Sequence, residues 1–143
     1  MVTKKVAIKE HCKISKSNCK IKLEEEKVQF YILNPNKKEL YEIKVDWCVF
    51  EKNRAPERCD YLIIDKINGT EYFIELKWSD FEKGCSQLSS SDNLLSNKKP
   101  NFCSLVIWKR IVKIARIQSK IALFKSQNSR FQLFYSWDSQ TII

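Results

Sequence analysis

The sequence predicts a mixed α/β fold, because strand-like segments surround two segments with helical periodicity. β-Branched and aromatic side chains, which favour strands, are concentrated in residues 28–33, 41–50, 61–67, 70–78, 102–108 and 131–137. Apolar side chains recur at helical spacing after Ser79 and again in residues 115–127. A chain of 143 residues has the length of one domain with its own core, so we expect residues 1–143 to form a single domain.

Short local patterns refine three of these segments. Ser79-Asp80-Phe81-Glu82 fits a capping box, which predicts that Ser79 is the N-cap of the first helix. The polar segment 89–99 is expected to be a loop that follows this helix. In the charged N-terminal region we expect a strand near residues 6–8 and a short helix over 23–27.

The chain is strongly basic. Its 26 lysines and arginines against 17 aspartates and glutamates give a net charge of +9, which attracts polyanions and above all nucleic acid. The alternative, a basic protein whose charge serves only solubility, stays open. With 43% apolar and 12% aromatic residues, the composition argues against disorder.

Cysteine usage and hydropathy suggest a compartment. None of the six cysteines lies in a Cys-x-x-Cys pair and His11 is the single histidine, so a zinc finger is not expected. The apolar surroundings of most of the cysteines predict reduced, buried side chains. Neither a signal peptide nor a run of membrane-spanning length is recognised, and we expect a cytoplasmic protein without a membrane partner. The cysteines are Cys12, Cys19, Cys48, Cys59, Cys85 and Cys103.

A predicted β-hairpin brings three charged residues together. Asn68-Gly69 between two strand-like runs predicts a two-residue turn, because both central positions of such a turn favour positive φ. With this turn Asp60 would lie opposite Lys77, and Glu75 would be their diagonal neighbour. Since side chains two positions apart point to the same side of a strand, all three would share one face at the open end of the hairpin.

Two carboxylates beside an ammonium group in an otherwise apolar strand pair are costly to desolvate. Crowded carboxylates repel each other unless a cation lies between them, and Mg²⁺ binds through one or two carboxylates together with substrate phosphate. The cluster therefore predicts a divalent metal site. The alternative is a structural salt bridge between Asp60 and Lys77 with Glu75 in solvent.

At these residues the chain resembles the PD-(D/E)xK nuclease superfamily. The motif consists of Cys59-Asp60, fourteen intervening residues and Glu75-Leu76-Lys77, followed by a helix. The resemblance covers residues 41–108, about half of the chain. It implies a restriction-endonuclease-like fold, a mixed central β-sheet flanked by helices, with a core over residues 41–137.

The resemblance also implies an activity. Asp60 and Glu75 would hold Mg²⁺ or Mn²⁺, the backbone carbonyl of Leu76 would add a ligand, and Lys77 would assist the attacking water. The expected reaction is the metal-dependent hydrolysis of phosphodiester bonds in nucleic acid, with DNA favoured, either internally or from an end.

Further residues are candidates for the same site. Asp46 interrupts an apolar strand, and Glu26, with Glu24 and Glu25, offers the acidic residue that many members carry on an N-terminal helix. Gln87 resembles a glutamine of some subfamilies, whereas Cys59 replaces the proline of the motif. Candidate nucleic-acid contacts are Lys109, Arg110, Lys113, Arg116 and Lys120.

Two other functions stay open. The chain could be a catalytically weak or inactive nuclease-fold module that binds nucleic acid, or a subunit of a larger defence or repair complex. A homodimer is also open, because cutting both strands with one site per chain requires two sites.

Overall fold

The computed structural model describes residues 6–50, 57–97, 101–108, 114–127, 129–135 and 140–143. Within these ranges the chain forms nine strands and two α-helices. The strands are β1 (Lys13–Lys16), β2 (Lys20–Glu25), β3 (Val28–Leu33), β4 (Leu40–Lys44), β5 (Tyr61–Asp65), β6 (Glu71–Lys77), β7 (Asn101–Ile107), β8 (Ser129–Tyr135) and β9 (Gln140–Ile142). The helices are α1 (Phe81–Leu95) and α2 (Ile114–Ser126).

Two sheets organise the strands. The large sheet has the order β1-β4-β5-β6-β7-β8; its first four strands are antiparallel, and β6, β7 and β8 are parallel. The small sheet has the order β2-β3-β9. Because α1 connects β6 to β7 and α2 connects β7 to β8, the parallel part is built from strand–helix–strand units. The predicted mixed α/β class is confirmed.

The large sheet is covered on both sides by apolar contacts. On one side, here called the helix side, Leu62, Phe73 and Leu105 pack with Leu88 of α1 and Phe124 of α2. On the other side a second cluster joins the large sheet to the small sheet. Among the described residues, both helices therefore lie on one side of the large sheet, and a small sheet lies where the resemblance implied helices.

The N-terminal region differs from its prediction. Residues 23–27 belong to the end of β2 and to a turn, and the expected helix there is wrong. The reason is that burial alternates with a period of two residues, as in a strand: Ile21 and Leu23 are buried, whereas Lys22 and Glu24 are exposed. Residues 6–8 form no strand, although Val6 N donates to the Leu94 carbonyl at 2.8 Å.

The helix α1 begins and ends later than predicted. Its N-cap is Asp80 rather than Ser79, because the Asp80 carboxylate accepts from Lys83 N at 3.1 Å. The helix continues to Leu95 through the segment expected to be a loop. Three polar side chains of this segment, Ser91, Asp92 and Ser96, are buried, and composition alone does not reveal this. Ser91 Oγ, for example, accepts from Cys59 N at 2.7 Å.

Strand β4 also ends early. It stops at Lys44 instead of continuing to residue 50, and the chain kinks over residues 45–49, where Trp47 has a φ of 87°. Residues 131–137 were predicted as a strand, and β8 occupies 129–135 of the described chain. The strand predictions at 28–33 and 102–108 and the helix at 115–127 are confirmed to within one residue at each end.

One pair of cysteines contradicts the prediction of reduced side chains. Cys12 and Cys48 form a disulfide, whereas Cys59, Cys85 and Cys103 are free and buried and Cys19 is free and exposed. Disulfides are rare in reducing compartments, so the pair removes one reason for the predicted cytoplasmic location. Neither helix in the described part of the chain has the length and apolar character needed to cross a membrane.

Candidate functional site

The hairpin that carries the site has a longer loop than predicted. Tyr61 pairs with Ile74, and Ile64 pairs with Glu71, so the predicted register is wrong by two positions. The Asp65 carboxylate accepts from the backbone N–H groups of residues 67 and 68 at 2.9 and 3.3 Å. This local hydrogen bonding opens the loop to residues 66–69, and only its glycine has a positive φ, of 75°.

The shift of two positions preserves the side to which each residue points. Because strand side chains alternate with a period of two, Asp60, Glu75 and Lys77 still share the helix side of the sheet. Continuing the observed pairing by one step places Asp60 opposite Glu75 rather than opposite Lys77. The three predicted residues are brought together at the open end of the hairpin, where they line one cleft.

Hydrogen bonds hold this cluster in place. Leu76 N donates to Asp60 Oδ2 at 2.9 Å, and Lys77 Nζ lies 3.1 Å from Glu75 Oε2. The alternative of an Asp60–Lys77 salt bridge with a solvated Glu75 is therefore wrong, since the Glu75 side chain is only 2% exposed. Its other oxygen, Oε1, is buried and accepts no hydrogen bond from a donor among the described residues.

Burial shifts the titration of both carboxyl groups. It raises the pKa of Asp60 to about 6, although the N–H of Leu76 favours the charged form. Burial raises the pKa of Glu75 to about 9; the neighbouring Asp60 adds to this shift, and Lys77 opposes it. The positive charge of Lys77 is thus not sufficient to keep Glu75 ionised, and Glu75 is protonated at neutral pH.

The donor set fits a small divalent cation. Two adjacent carboxylates are hard oxygen ligands, which Mg²⁺ and Mn²⁺ prefer. The buried Oε1 of Glu75 lacks a donor in the described chain, and a cation would supply the missing positive partner. Leu76, whose carbonyl was predicted as a further ligand, lines the same cleft.

The cleft has a volume of about 390 Å³, and the small sheet, the large sheet and α1 all contribute residues to its lining. The predicted candidates Asp46, Glu26 and Gln87 all line it. Glu26 is exposed and follows strand β2 instead of lying on an N-terminal helix, and Glu24 is not part of the lining.

Two of these candidates already have protein contacts. Asp46 Oδ1 accepts from Arg58 Nε at 2.9 Å, so its carboxylate is in an ion pair. Gln87 Nε2 donates to the Arg58 carbonyl at 3.2 Å, while Gln87 Oε1 is buried without a donor among the described residues. Gln87 is therefore a half-buried cleft residue rather than a residue of the helix surface.

One basic residue of the cleft was not predicted from the sequence. Lys83 lines it together with Gln87, four positions later on the same face of α1. The helical spacing of these two residues was the available signal. Glu25, named only as an alternative to Glu26, also lines the cleft, and its carboxylate lies 2.6 Å from Lys44 Nζ.

The predicted basic contacts lie elsewhere or outside the described chain. Lys109, Arg110 and Lys113 fall on residues that the structure does not describe. Arg116 is paired with Glu82 at 3.1 Å, and Lys120 lines a separate depression between α1 and α2. Neither of them lines the cleft, and their contact with nucleic acid stays a prediction.

Comparison with known proteins adds no relative to this description. No protein-family model, curated protein or solved structure matches the chain. The function of the chain is therefore inferred from the geometry and chemistry of the cleft.

Proposed function

We propose that the cleft is the active site of a metal-dependent phosphodiesterase. The observation that carries this proposal is Glu75, which is buried beside Asp60 and whose Oε1 accepts no hydrogen bond from the described residues. Burial and the neighbouring Asp60 raise its pKa to about 9. A buried acidic pair that costs stability is expected at a functional site, where a ligand compensates for it.

More particularly, we propose a nuclease that cuts DNA, internally or from an end. The net charge of +9 favours a polyanionic substrate. The order β4, β5, β6, α1, β7, with the acidic pair at the end of the hairpin, supports the resemblance to the PD-(D/E)xK superfamily and its restriction-endonuclease-like fold.

Each residue then has a distinct role. Asp60 and Glu75 would hold Mg²⁺ or Mn²⁺, and the Leu76 N–H keeps the Asp60 carboxylate oriented. When bound, the cation would polarise a phosphoryl oxygen and lower the pKa of water. Lys77, positioned by Glu75, would orient the attacking water and stabilise negative charge that develops on the phosphate.

The test is cleavage of plasmid, linear duplex and single-stranded DNA by the purified chain with Mg²⁺, with Mn²⁺ and with EDTA. We expect metal-dependent cleavage that falls about 100-fold or more in Lys77→Ala, because a fixed charge at the reacting phosphate is lost. Lys22→Ala, on an exposed position of β2, is the matched control and should cleave like the unmodified chain. Equal activity of Lys77→Ala and the unmodified chain would remove Lys77 from the mechanism.

A nucleic-acid-binding subunit without activity of its own is the second candidate. The net charge of +9 supports binding whether or not the cleft is catalytic. Salt-sensitive binding to DNA without cleavage under either metal would favour this function, and cleavage that appears only with a partner protein would assign the chain to a larger complex.

A further inference from the structure

Two tryptophans form an exposed stack beside the cleft. Trp78 and Trp108 are 47% and 39% exposed, and their ring centroids lie 5.4 Å apart with an angle of 12° between the ring planes. Tryptophan is on average highly buried, and a contiguous exposed aromatic surface marks an interaction site. Within the described part of the chain, both rings stay partly exposed and are not part of either buried cluster.

The sheet itself aligns the two rings. Strands β6 and β7 are parallel, with Lys77 paired to Ile107, so Trp78 and Trp108 are the next residues on neighbouring strands. Trp108 N donates to the Lys77 carbonyl at 2.9 Å, which ties the stack to the backbone of a candidate catalytic residue. Trp78 also lines the cleft.

We propose that Trp78 and Trp108 form a stacking platform for an unpaired nucleobase, so that the cleft takes single-stranded nucleic acid or a frayed end. This inference rests on the proposed function and names its substrate class. Every base has an aromatic face, and stacking on protein aromatics binds single strands without sequence readout. Bases inside a duplex are already stacked on their neighbours and leave no face for the platform.

The cleft beside the platform has mixed charge, with two lysines among the carboxylates of Glu25, Glu26, Asp46, Asp60, Glu75 and Asp80. Lys77 and Lys83 line the cleft next to Trp78 and can contact the phosphates that flank a stacked base. Cationic side chains beside aromatic rings are one of the combinations with which proteins bind single strands. The platform and the metal ligands would thus contact neighbouring parts of one strand.

The experiment measures binding in EDTA, so that no cleavage interferes. The unmodified chain is titrated with a twelve-nucleotide oligo(dT), the RNA oligo(U), a blunt duplex and an abasic strand of the same length. We expect quenching of tryptophan fluorescence and an affinity for oligo(dT) or oligo(U) that exceeds the affinities for the abasic strand and the duplex about tenfold. Equal affinity for the abasic strand and oligo(dT) overturns the proposal without any mutation.

Variants locate the platform. Trp78→Ala and Trp108→Ala should each weaken single-strand binding about tenfold, and Trp78→Phe should retain part of it. Trp47→Ala is the matched control, because Trp47 is 55% exposed but lies outside the stack. Unchanged binding by both stack variants contradicts the platform. Cleavage is assayed separately, so stacking without any cleavage would reject the nuclease and leave the platform, and the reverse result would reject the platform alone.

Discussion

Two buried glutamates on strand β6 have opposite surroundings. Glu71 accepts hydrogen bonds from Ser96 Oγ at 2.7 Å and from Asn97 N at 3.0 Å. Glu75, four residues later on the same side of the strand, contacts Lys77 and keeps one oxygen without a described donor. The first carboxylate stabilises the fold, whereas the second costs stability unless a ligand compensates for it.

Exchange of each glutamate for glutamine should separate these roles. At pH 8 in EDTA, Glu75→Gln should raise the free energy of unfolding by about 1–2 kcal/mol, because it removes a poorly compensated buried acid. Glu71→Gln should lower it by about 1–3 kcal/mol, because charged acceptor bonds are lost. Urea denaturation measures both, and an equal loss of stability in the two variants would contradict the functional interpretation of Glu75.

The same acids predict how stability depends on pH. The folded pKa values of Asp60 and Glu75, about 6 and about 9, exceed the ordinary values of 3.8 and 4.5. The folded state therefore binds more protons than the unfolded state between these limits. The stability that these two groups contribute is fully present below about pH 4 and is lost as the pH rises toward 9.

Urea denaturation in EDTA between pH 5 and pH 9 checks this prediction by comparing the unmodified chain with Glu75→Gln. The variant should lose less stability across this range, because its uncharged side chain does not titrate. In a second series with Mg²⁺ in place of EDTA, the loss of stability of the unmodified chain should likewise be smaller. Parallel curves for both proteins would show that Glu75 titrates with its ordinary pKa.

At the scale of elements, the helix α1 approaches the sheet closely at Gly84. A Cβ atom at this position would lie 2.6 Å from Leu105 Cδ1 and 3.3 Å from Lys77 Cγ. The glycine thus allows α1 to place Lys83 and Gln87 beside the acidic pair. Its cost in helix propensity is offset by this packing.

Gly84→Ala should therefore destabilise the fold, by about 1–2 kcal/mol, although alanine is the better helix former. The cause is overpacking against Leu105, which is fully buried. A thermal melt measures the change, and the double variant with Leu105→Val should recover part of it. A stabilised Gly84→Ala variant would show that the neighbouring side chains move aside at little cost.

The hairpin shows what local sequence predicts about an element. Asn68-Gly69 locates the turn, but hydrogen bonds to the Asp65 carboxylate decide its length, so the register differs by two positions. Because strand residues alternate, an error of two leaves Asp60 and Glu75 on one side. An error of one would have separated them.

At the scale of the whole molecule, a disulfide joins distant parts of the chain. Cys12 is the last residue of the single-turn helix Glu10–Cys12, and Cys48 lies in the kinked segment that also carries Asp46. The bond closes a loop over a sequence separation of 36 and so connects the N-terminal region to one wall of the cleft.

Reduction with a phosphine should lower the free energy of unfolding by about 3–4 kcal/mol. This is the stabilisation expected when a cross-link removes the conformational entropy of an unfolded loop of this length. The change is measured by urea denaturation with and without reductant, and a chain with Cys12→Ser and Cys48→Ser should show no effect of reductant. Stability that is insensitive to reduction in the unmodified chain would indicate that the cross-link contributes nothing.

The sequence by itself determined which residues share a side of the hairpin, because alternation along a strand is a local property that survives errors in turn length. It also located both helices, apart from the end of α1, and six of the nine described strands, since apolar periodicity is strong there; β1, β2 and β9 were not predicted. Only the tertiary structure decided that Glu25, Glu26 and Lys83 join the cleft, that Glu75 is buried and that Cys12 meets Cys48. These contacts depend on how two sheets and α1 pack across long separations in sequence, and no local pattern specifies that packing.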